Sequence, residues 1–349
     1  MAINLTTKFS NKVDERFKLE SLTDAHAGHS YEFSGVGGIK VFSVDTVPVV
    51  DYTRSGQSRF GTAVELGDTV QELMMSQDKA FTFTVDAGNA ADQLNVKHVA
   101  RRLRVNWDEV ATPMIDKYRL RRWMDGAGLG KVESTALTSS TVMKAIFEAG
   151  AAMSNALVPT AGRTLFISQS LYVSAKLSDQ IMGIERLGEK ALAKGVVGRL
   201  DGMQVVPVPD SYLPGGVQFF IKYKNATVDP VKLQTFRVHK NPPGIDGDLG
   251  ECRFYYDAFV LGNKVKGLYV YAKSGMLAAP TITIASHSAT IAGSTGETIR
   301  YTTDGSDPKT SATAKDYSAA VTVSSGTLVR AYASKAGSLN SPIAEAVDE

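Results

Sequence analysis

The stretch Asp86–Asp125, DAGNAADQLNVKHVARRLRVNWDEVATPMIDKYRLRRWMD, constrains this chain more than any other. Val99, Leu103, Trp107, Val110, Met114 and Tyr118 recur at steps of 4, 4, 3, 4 and 4. On a 3.6-residue helix that spacing gathers them into one apolar stripe. Asn89 stands where a cap is needed, and the Gly126-Ala127-Gly128 run ends the helix. Pro113 removes one donor and crowds the carbonyl four residues earlier, which predicts a bend near Glu109. At 1.5 Å per residue, a helix over about 89–125 spans roughly 50 Å, longer than a small domain is wide. The rest of the chain has to be arranged around such a spine.

The segments before the spine read as strands. GGIKVFSVDTVPVVDY is rich in Val, Ile and Phe, with Pro48 marking an edge or bulge, and AFTFTV alternates Phe81, Phe83 and Val85 with Thr82 and Thr84. The glycine-punctuated stretch between them is too long for a loop inside a compact domain. It reads instead as an extended hairpin over about 46–85, with Arg54, Arg59, Phe60 and Glu65 near its tip. A lone hairpin is marginal in water, so such an arm needs a neighbouring subunit to lie on. Residues 1–36 are polar and read as an N-terminal arm. Its His26 and His29 are expected at solvent or an interface and not on a metal, because no further ligands stand nearby.

After the spine, residues 127–240 read as mixed α and β. A helix is expected in SSTVMKAIFEAGAAMSNALVP with a Ser cap, a strand in RTLFIS, a helix in QSLYVSAKLSDQ, and strands in GMQVVPVP and VQFFIKY. ECRFYYDAFVLGNKVKGLYVYA reads as two strands folded back at Gly262-Asn263. From Ala278 the composition turns to Thr, Ser, Ala and Gly with short strands and regular turns, as in a small β-sandwich. The fold class is α+β with an all-β module at the C-terminus.

Chemistry is the weakest signal. GAGLGK at 126–131 lacks the Walker spacing and follows a helix, and GVGG at 35–38 precedes a strand. Ser168 lacks a nucleophile elbow, and His98, His239 and His287 sit in three separate segments. No carboxylate pair spans a recognisable cleft. Cys252 is the single cysteine, which excludes an internal disulfide and a cysteine-rich zinc site, and it reads as a buried structural thiol. No catalytic residue, cofactor or metal site is therefore expected. With 349 residues, 43% of them apolar, the chain can bury two or three domain cores. No apolar run approaches the length of a membrane span, and MAINLTTKFSNK lacks a signal-peptide core, so a cytoplasmic origin without membrane attachment is expected. Net charge of +2 does not mark a nucleic-acid binder. The Arg101, Arg102, Arg104 cluster and the Lys117, Arg119, Arg121, Arg122 cluster fit three roles: facing nucleic acid, bridging subunits, or a solvated face paired with Asp108, Glu109 and Asp116.

The order of parts resembles the major capsid proteins of tailed bacteriophages. Several phrases look like that family's: FTFTVDAGNAADQ into the spine, TPMIDKYRLRRWMDGAG closing it, VPTAGRTLFISQSLYVSAKL, and LDGMQVVPVPDSYLP. The likeness covers roughly residues 1–277 in arrangement. It implies a peripheral domain from 37–126 and 241–277 that carries the hairpin and spine, and an axial domain over 127–240. It further implies pentamers and hexamers closing into an icosahedral shell, assembled in the bacterial cytoplasm around double-stranded DNA held without sequence specificity. A portal is implied, and a separate scaffolding protein, since residues 1–36 are too short for a built-in scaffold. Some capsid proteins of this fold weld subunits through a lysine–asparagine isopeptide bond. The tip Asp51–Thr69 holds no lysine, so a noncovalent shell is expected.

The tail, 278–349, resembles the immunoglobulin-like module at the C-terminus of chitobiases and β-hexosaminidases, most specifically in YTTDGSDP. That likeness implies an outer decoration domain and adds host or mucosal glycans as candidate partners. Asp304, Gly305, Asp307 and Pro308 read as a turn in which the Asp side chains cap their own backbone, in preference to a calcium site. The competing readings are an encapsulin-like compartment, which shares the capsid fold, and a glycan-binding or glycan-active protein.

Overall fold

The computed structural model describes residues 20–28, 31, 38–44, 47, 49–56, 58–63, 65–66, 68–88, 99–178 and 198–348. His29, the Asn89 cap and the spine's expected first turns lie outside them. Strand β1 (Gly38–Val44) is followed by β2 (Asp68–Met74) and β3 (Gln77–Asp86). The spine comes next as α1 (Val99–Asn106), one π-turn (Trp107–Ala111) and α2 (Thr112–Asp125). Then come β4 (Leu129–Val132), α3 (Val142–Asn155), β5 (Arg163–Ser168), α4 (Gln169–Lys176), β6 (Arg199–Leu200), β7 (Met203–Val208), β8 (Val217–Tyr223) and β9 (Thr227–Val228). The body ends in β10 (Val231–Lys240), β11 (Gly247–Tyr256), β12 (Phe259–Val260) and β13 (Leu268–Ala272). The tail holds β14 (Thr281–Ala285), β15 (Ser288–Ala292), β16 (Thr298–Thr302), β17 (Lys315–Asp316), β18 (Val321–Thr322), β19 (Leu328–Ser334) and β20 (Ala344–Val347).

The central sheet runs β4-β13-β8-β5-β7-β6 and is covered on both faces. Side chains alternate across it, as the pleat requires. Leu165, Ile167, Phe219, Ile221, Tyr269 and Tyr271 meet α3 and α4 on one face. Phe166, Phe220, Leu268 and Val270 meet Leu120, Trp123 and Met124 of the spine on the other. Helix α4 is capped by Ser168, whose hydroxyl accepts the Leu171 amide at 3.3 Å. Thr141, not a serine, stands at the N-cap of α3, and its side chain makes no capping bond.

A second sheet, β10-β11-β3, packs Phe81, Phe83, Val85, Cys252, Phe254 and Tyr256 on the spine's Val99, Leu103 and Ile115. This pairing revises three expectations. AFTFTV lies in β3 and pairs with β11, so the hairpin is β1 with β2, not the whole of 46–85. The expected split at residue 240 is crossed both ways: β10 belongs to the sheet with β11 and β3, and β13 to the central one. Gly262-Asn263 opens a 3₁₀ segment, Gly262–Gly267, between strands that pair elsewhere: β12 with β9, and β13 with β4 and β8.

The stripe on the spine is also revised. Val99 and Leu103 are buried and Trp107 and Tyr118 partly so, but Val110 is 52% and Met114 36% exposed, while Ala111 and Ile115 are buried in their place. The cause is the π-turn, in which the Thr112 amide donates to Trp107 O, five residues back. One residue is added to that turn, so steps of 4 stay on the core face where an ideal helix would need a step of 3. Pro113 follows directly in the first turn of α2 and lacks the amide that an unbroken α-helix would send to Glu109.

The tail is a two-sheet β-sandwich, β14-β15-β18 against β17-β16-β19-β20, around Ala289, Ile291, Val329 and Ala331.

Candidate functional site

The hairpin is built by alternation. Ile39, Val41 and Leu73 face inward onto Val228, Phe259 and Leu261. Phe42, Val70 and Met74 point the other way and are exposed. Register runs from Gly38 opposite Met74 to Val44 opposite Asp68. Gln71 fastens the root: its amide nitrogen donates to Val260 O and its amide oxygen accepts from Gly262 N, both at 2.9 Å. Asp257, buried, fastens the exit by accepting from Ser76 N at 2.7 Å, from the Tyr118 hydroxyl at 2.7 Å and from Ala258 N at 2.8 Å. Burial, and then the bond to Asp257, push the Tyr118 phenol up to about 12.

The tip is locally ordered but carries its apolar groups outward. The Thr53 amide donates to Arg59 O at 3.1 Å, and the Arg59 guanidinium turns back to donate to Gly56 O at 3.2 Å. Gly56 sits at φ 93°, where a side chain would be strained. Tyr52 and Phe60 stack edge to face at 5.0 Å. Even so, Phe60 is 84% exposed and Val49 99%, and Val50, Tyr52 and Leu66 are exposed beside them, with Arg54 and Glu65 at their margin. Five large apolar side chains within residues 49–66 thus stand at solvent in the single chain.

Beneath the arm, segment 20–28 is sewn into the body by two buried carboxylates. Asp116 of α2 accepts from the Ser21 hydroxyl at 2.7 Å, the Leu22 amide at 2.9 Å and the Thr23 hydroxyl at 2.5 Å. Asp229 accepts from Trp123 Nε1 at 2.6 Å, the Gly28 amide at 2.8 Å and the Thr227 hydroxyl at 2.8 Å. Arg119, also buried, donates to Asp24 at 3.1 Å, and Lys222 donates to His26 O at 2.6 Å while lying 4.6 Å from the Trp123 ring centre. His26 is therefore part of the body and not solvent-facing: its ring meets Phe166 edge-on at 5.4 Å, and burial, then Lys222, lower its pKa. The polar text of this segment looked like a free arm because its burial depends on carboxylates some 90 to 200 residues away.

Of the spine's cations, Arg101, Arg104, Lys117, Arg121 and Arg122 are exposed, Arg102 is partly buried, and Arg119 is spent on Asp24. Asp116, expected to balance them, bonds the 20–28 segment instead. In the tail, Asp304 accepts from Ser306 N at 3.0 Å and the Thr313 hydroxyl at 2.6 Å, and Gly305 takes φ 76°. Asp307 accepts from Lys309 N at 3.1 Å and the Thr310 hydroxyl at 2.8 Å. DGSDP is thus a capped turn. Tyr301 and Tyr317 pack on each other and on the module's core rather than forming an exposed aromatic platform. Among the described residues no three His, Cys, Asp or Glu cluster as metal ligands, and no helix is long and apolar enough to cross a membrane.

Lys222, buried, and Lys309, partly buried, set an alkaline stability profile. Burial draws Lys222 and Lys309 down to about 8, against the opposing pull of Asp229 on the first and Asp307 on the second. Between that value and the ordinary 10.5 the unfolded chain binds more protons than the folded one, so stability rises with pH there, by on the order of 3 kcal/mol per lysine over the whole range. Tyr118 and Tyr269 are pushed up to about 12, chiefly by burial, so above pH about 10 the unfolded chain ionises first and stability falls. Thermal unfolding followed by circular dichroism is expected to give a higher midpoint at pH 9.5 than at pH 7.5, and a lower one at pH 11. A midpoint that falls steadily from pH 7.5 refutes the assignment.

A family model described as Fn3 associated matches residues 289–346. No curated protein sequence matches the chain. Solved structures do. A chain from Mycobacterium phage Che8 superposes with a TM-score of 0.65 at 18% identity, over 77% of this chain and 97% of that one. The capsid structure of the cyanophage P-SCSP1u gives 0.62 at 13% identity, over 76% and 92%, and the mature capsid of bacteriophage PhiM1 gives 0.60 at 10% identity, over 77% and 92%. Hairpin arm, spine and two-faced central sheet together thus make an α+β chain with the fold of phage capsid proteins, extended at its C-terminus by a β-sandwich that the Fn3 associated model matches.

Proposed function

We propose that the chain is a major capsid protein, whose copies form pentamers and hexamers that close into an icosahedral shell around phage double-stranded DNA. The observation that carries this reading is the exposed apolar tip of the hairpin, Val49, Tyr52 and Phe60, on a body with a capsid-protein fold. A two-stranded ribbon is marginal alone in water, and its apolar groups gain by burial on another surface. Every copy carries the same arm, so the surface is a second copy. A head-to-tail contact of this kind closes a ring when its rotation closes. Exposed Arg101, Arg104, Arg121 and Arg122 suit a polyanion bound without sequence preference, through phosphate contacts and counterion release. A portal and a separate scaffolding protein complete the partners on this reading, and the protein resides in the virion.

The test is negative-stain electron microscopy with analytical ultracentrifugation of the protein expressed alone and with candidate scaffolds. Rings, tubes or closed particles are expected. A monomer under every condition overturns the proposal.

A further inference from the structure

The tail meets the body where three parts of the fold converge. Lys309, partly buried, donates to Asp125 O at 3.0 Å, at the last residue of α2, and to Ala127 O at 2.7 Å, just past the helix end. A helix leaves its last carbonyls without intrahelical partners, and a cation there also meets the negative end of the helix dipole. The same Lys309 lies 5.7 Å from the Tyr332 ring centre, and its own amide donates to Asp307. Asn340 N donates to the Asp125 carboxylate at 3.0 Å. Ile343 N donates to Gly128 O at 3.0 Å, and Leu339 N to Gly275 O at 2.8 Å, while Met276 and Leu339 enter the main body core.

The third part is the root of the hairpin. A Cβ placed on Gly262 would stand 2.9 Å from the Thr310 hydroxyl, 3.5 Å from the Asp307 Cβ and 3.6 Å from the Gln71 amide oxygen. Gln71 is the residue that fastens β2, and Gly262 N is one of its two partners. A groove of about 410 Å³ separates Gln71 and Glu72 from Arg122, Asp125, Lys309 and Asn340, so hairpin, spine and tail line one surface. Lys266 of the body also pairs with Glu345 of the module at 2.8 Å.

We propose that the C-terminal module is an internal clamp: its Asp307–Thr310 loop and its 339–343 segment hold the end of the spine and the root of the hairpin as one unit, so that the hairpin's order depends on the module being docked. The module is then part of the assembly machinery and not an appended decoration. These contacts lie within one chain and do not depend on shell formation.

The loop sequence fits this role. Pro308 fixes the turn, Asp307 holds it from inside, and the lysine that follows is delivered to the helix end with its charge matched by Asp307 and Asp125. Removing the lysine alone leaves the Asp125 and Ala127 carbonyls without their donor and the buried Asp307 carboxylate without a nearby positive charge, which is costlier than removing both charges.

Hydrogen–deuterium exchange read by mass spectrometry on unassembled protein tests this. In full-length Lys309→Met, peptides covering 68–74, 120–128 and 259–262 are expected to exchange at least about tenfold faster than in the parent, while 163–168 and 217–223 keep parental rates. Faster exchange confined to 281–347, with the hairpin root and spine end unchanged, overturns the proposal. If Lys309→Met loosens every peptide, Asp307→Asn with Lys309→Met, which leaves no buried charge unpaired, is read the same way. Uniform loosening there, without excess at the hairpin root, also overturns it. Exchange is read on single subunits, so its outcome is independent of the shell assay.

Discussion

Asp229→Ala is expected to lower stability by about 3–5 kcal/mol, the range for removing one partner of a buried charge pair. The carboxylate is fully buried and holds three donors from three parts of the chain: Trp123 of the spine, Gly28 of the N-terminal segment and Thr227 of β9. Alanine leaves all three unpaired, at about 1–3 kcal/mol for a stranded buried donor. It also leaves the Lys222 ammonium without the carboxylate that favours its charge. Asp229→Asn keeps an acceptor for the indole and should cost less. Because Asp229 raises the Lys222 pKa against burial, its removal lets that lysine shed its proton at lower pH, so the loss in the alanine variant should be larger at pH 6 than at pH 8. Urea titration followed by tryptophan fluorescence measures all three. A loss below about 1 kcal/mol would show that the N-terminal segment is not held from this point.

Phe60→Asp combined with Tyr52→Ser is expected to abolish rings and shells while leaving the monomer's melting point nearly unchanged. Both side chains are exposed in the single chain, and surface substitutions of that kind stay within about 0.5 kcal/mol. In a shell each copy would bury them, and full burial of one large apolar side chain contributes about 1.5–3 kcal/mol, repeated at every contact. A buried aspartate adds a desolvation penalty on top of that loss. Sedimentation velocity and microscopy report assembly, and a thermal melt reports the fold. Particles formed in parental yield by the double variant would mean the hairpin tip is not an interface. A monomer that melts much lower would mean instead that the tip supports its own subunit.

The two apolar pairs on the spine show where reading stops. Val110 and Met114 satisfy an ideal helical period, yet both face outward, because one π-turn shifts the frame by a residue. Pro113 was a visible cause of disturbance, but a bend and a wide turn are equally good ways to accommodate it. AFTFTV declared a strand with one apolar face, which it is, without declaring that its partner is β11, some 170 residues on. DGSDP declared a turn. It gave no sign that the following lysine would cap another helix.

Local rules were therefore enough for the existence of the spine, the strands and the β-module, because period, caps and turn chemistry are set by neighbours in sequence. A long glycine-punctuated segment was visible too, but not that its strands are β1 and β2 or that they pack on Val228, Phe259 and Leu261. Tertiary structure alone decided which carboxylate receives which donor: Asp116 the 21–23 segment, Asp229 the indole and Gly28, Asp257 the hairpin exit. It also decided that Lys309 belongs to the spine. A polar group is compatible with burial only beside its partner, and that partner stands at a distance along the chain that no local pattern encodes.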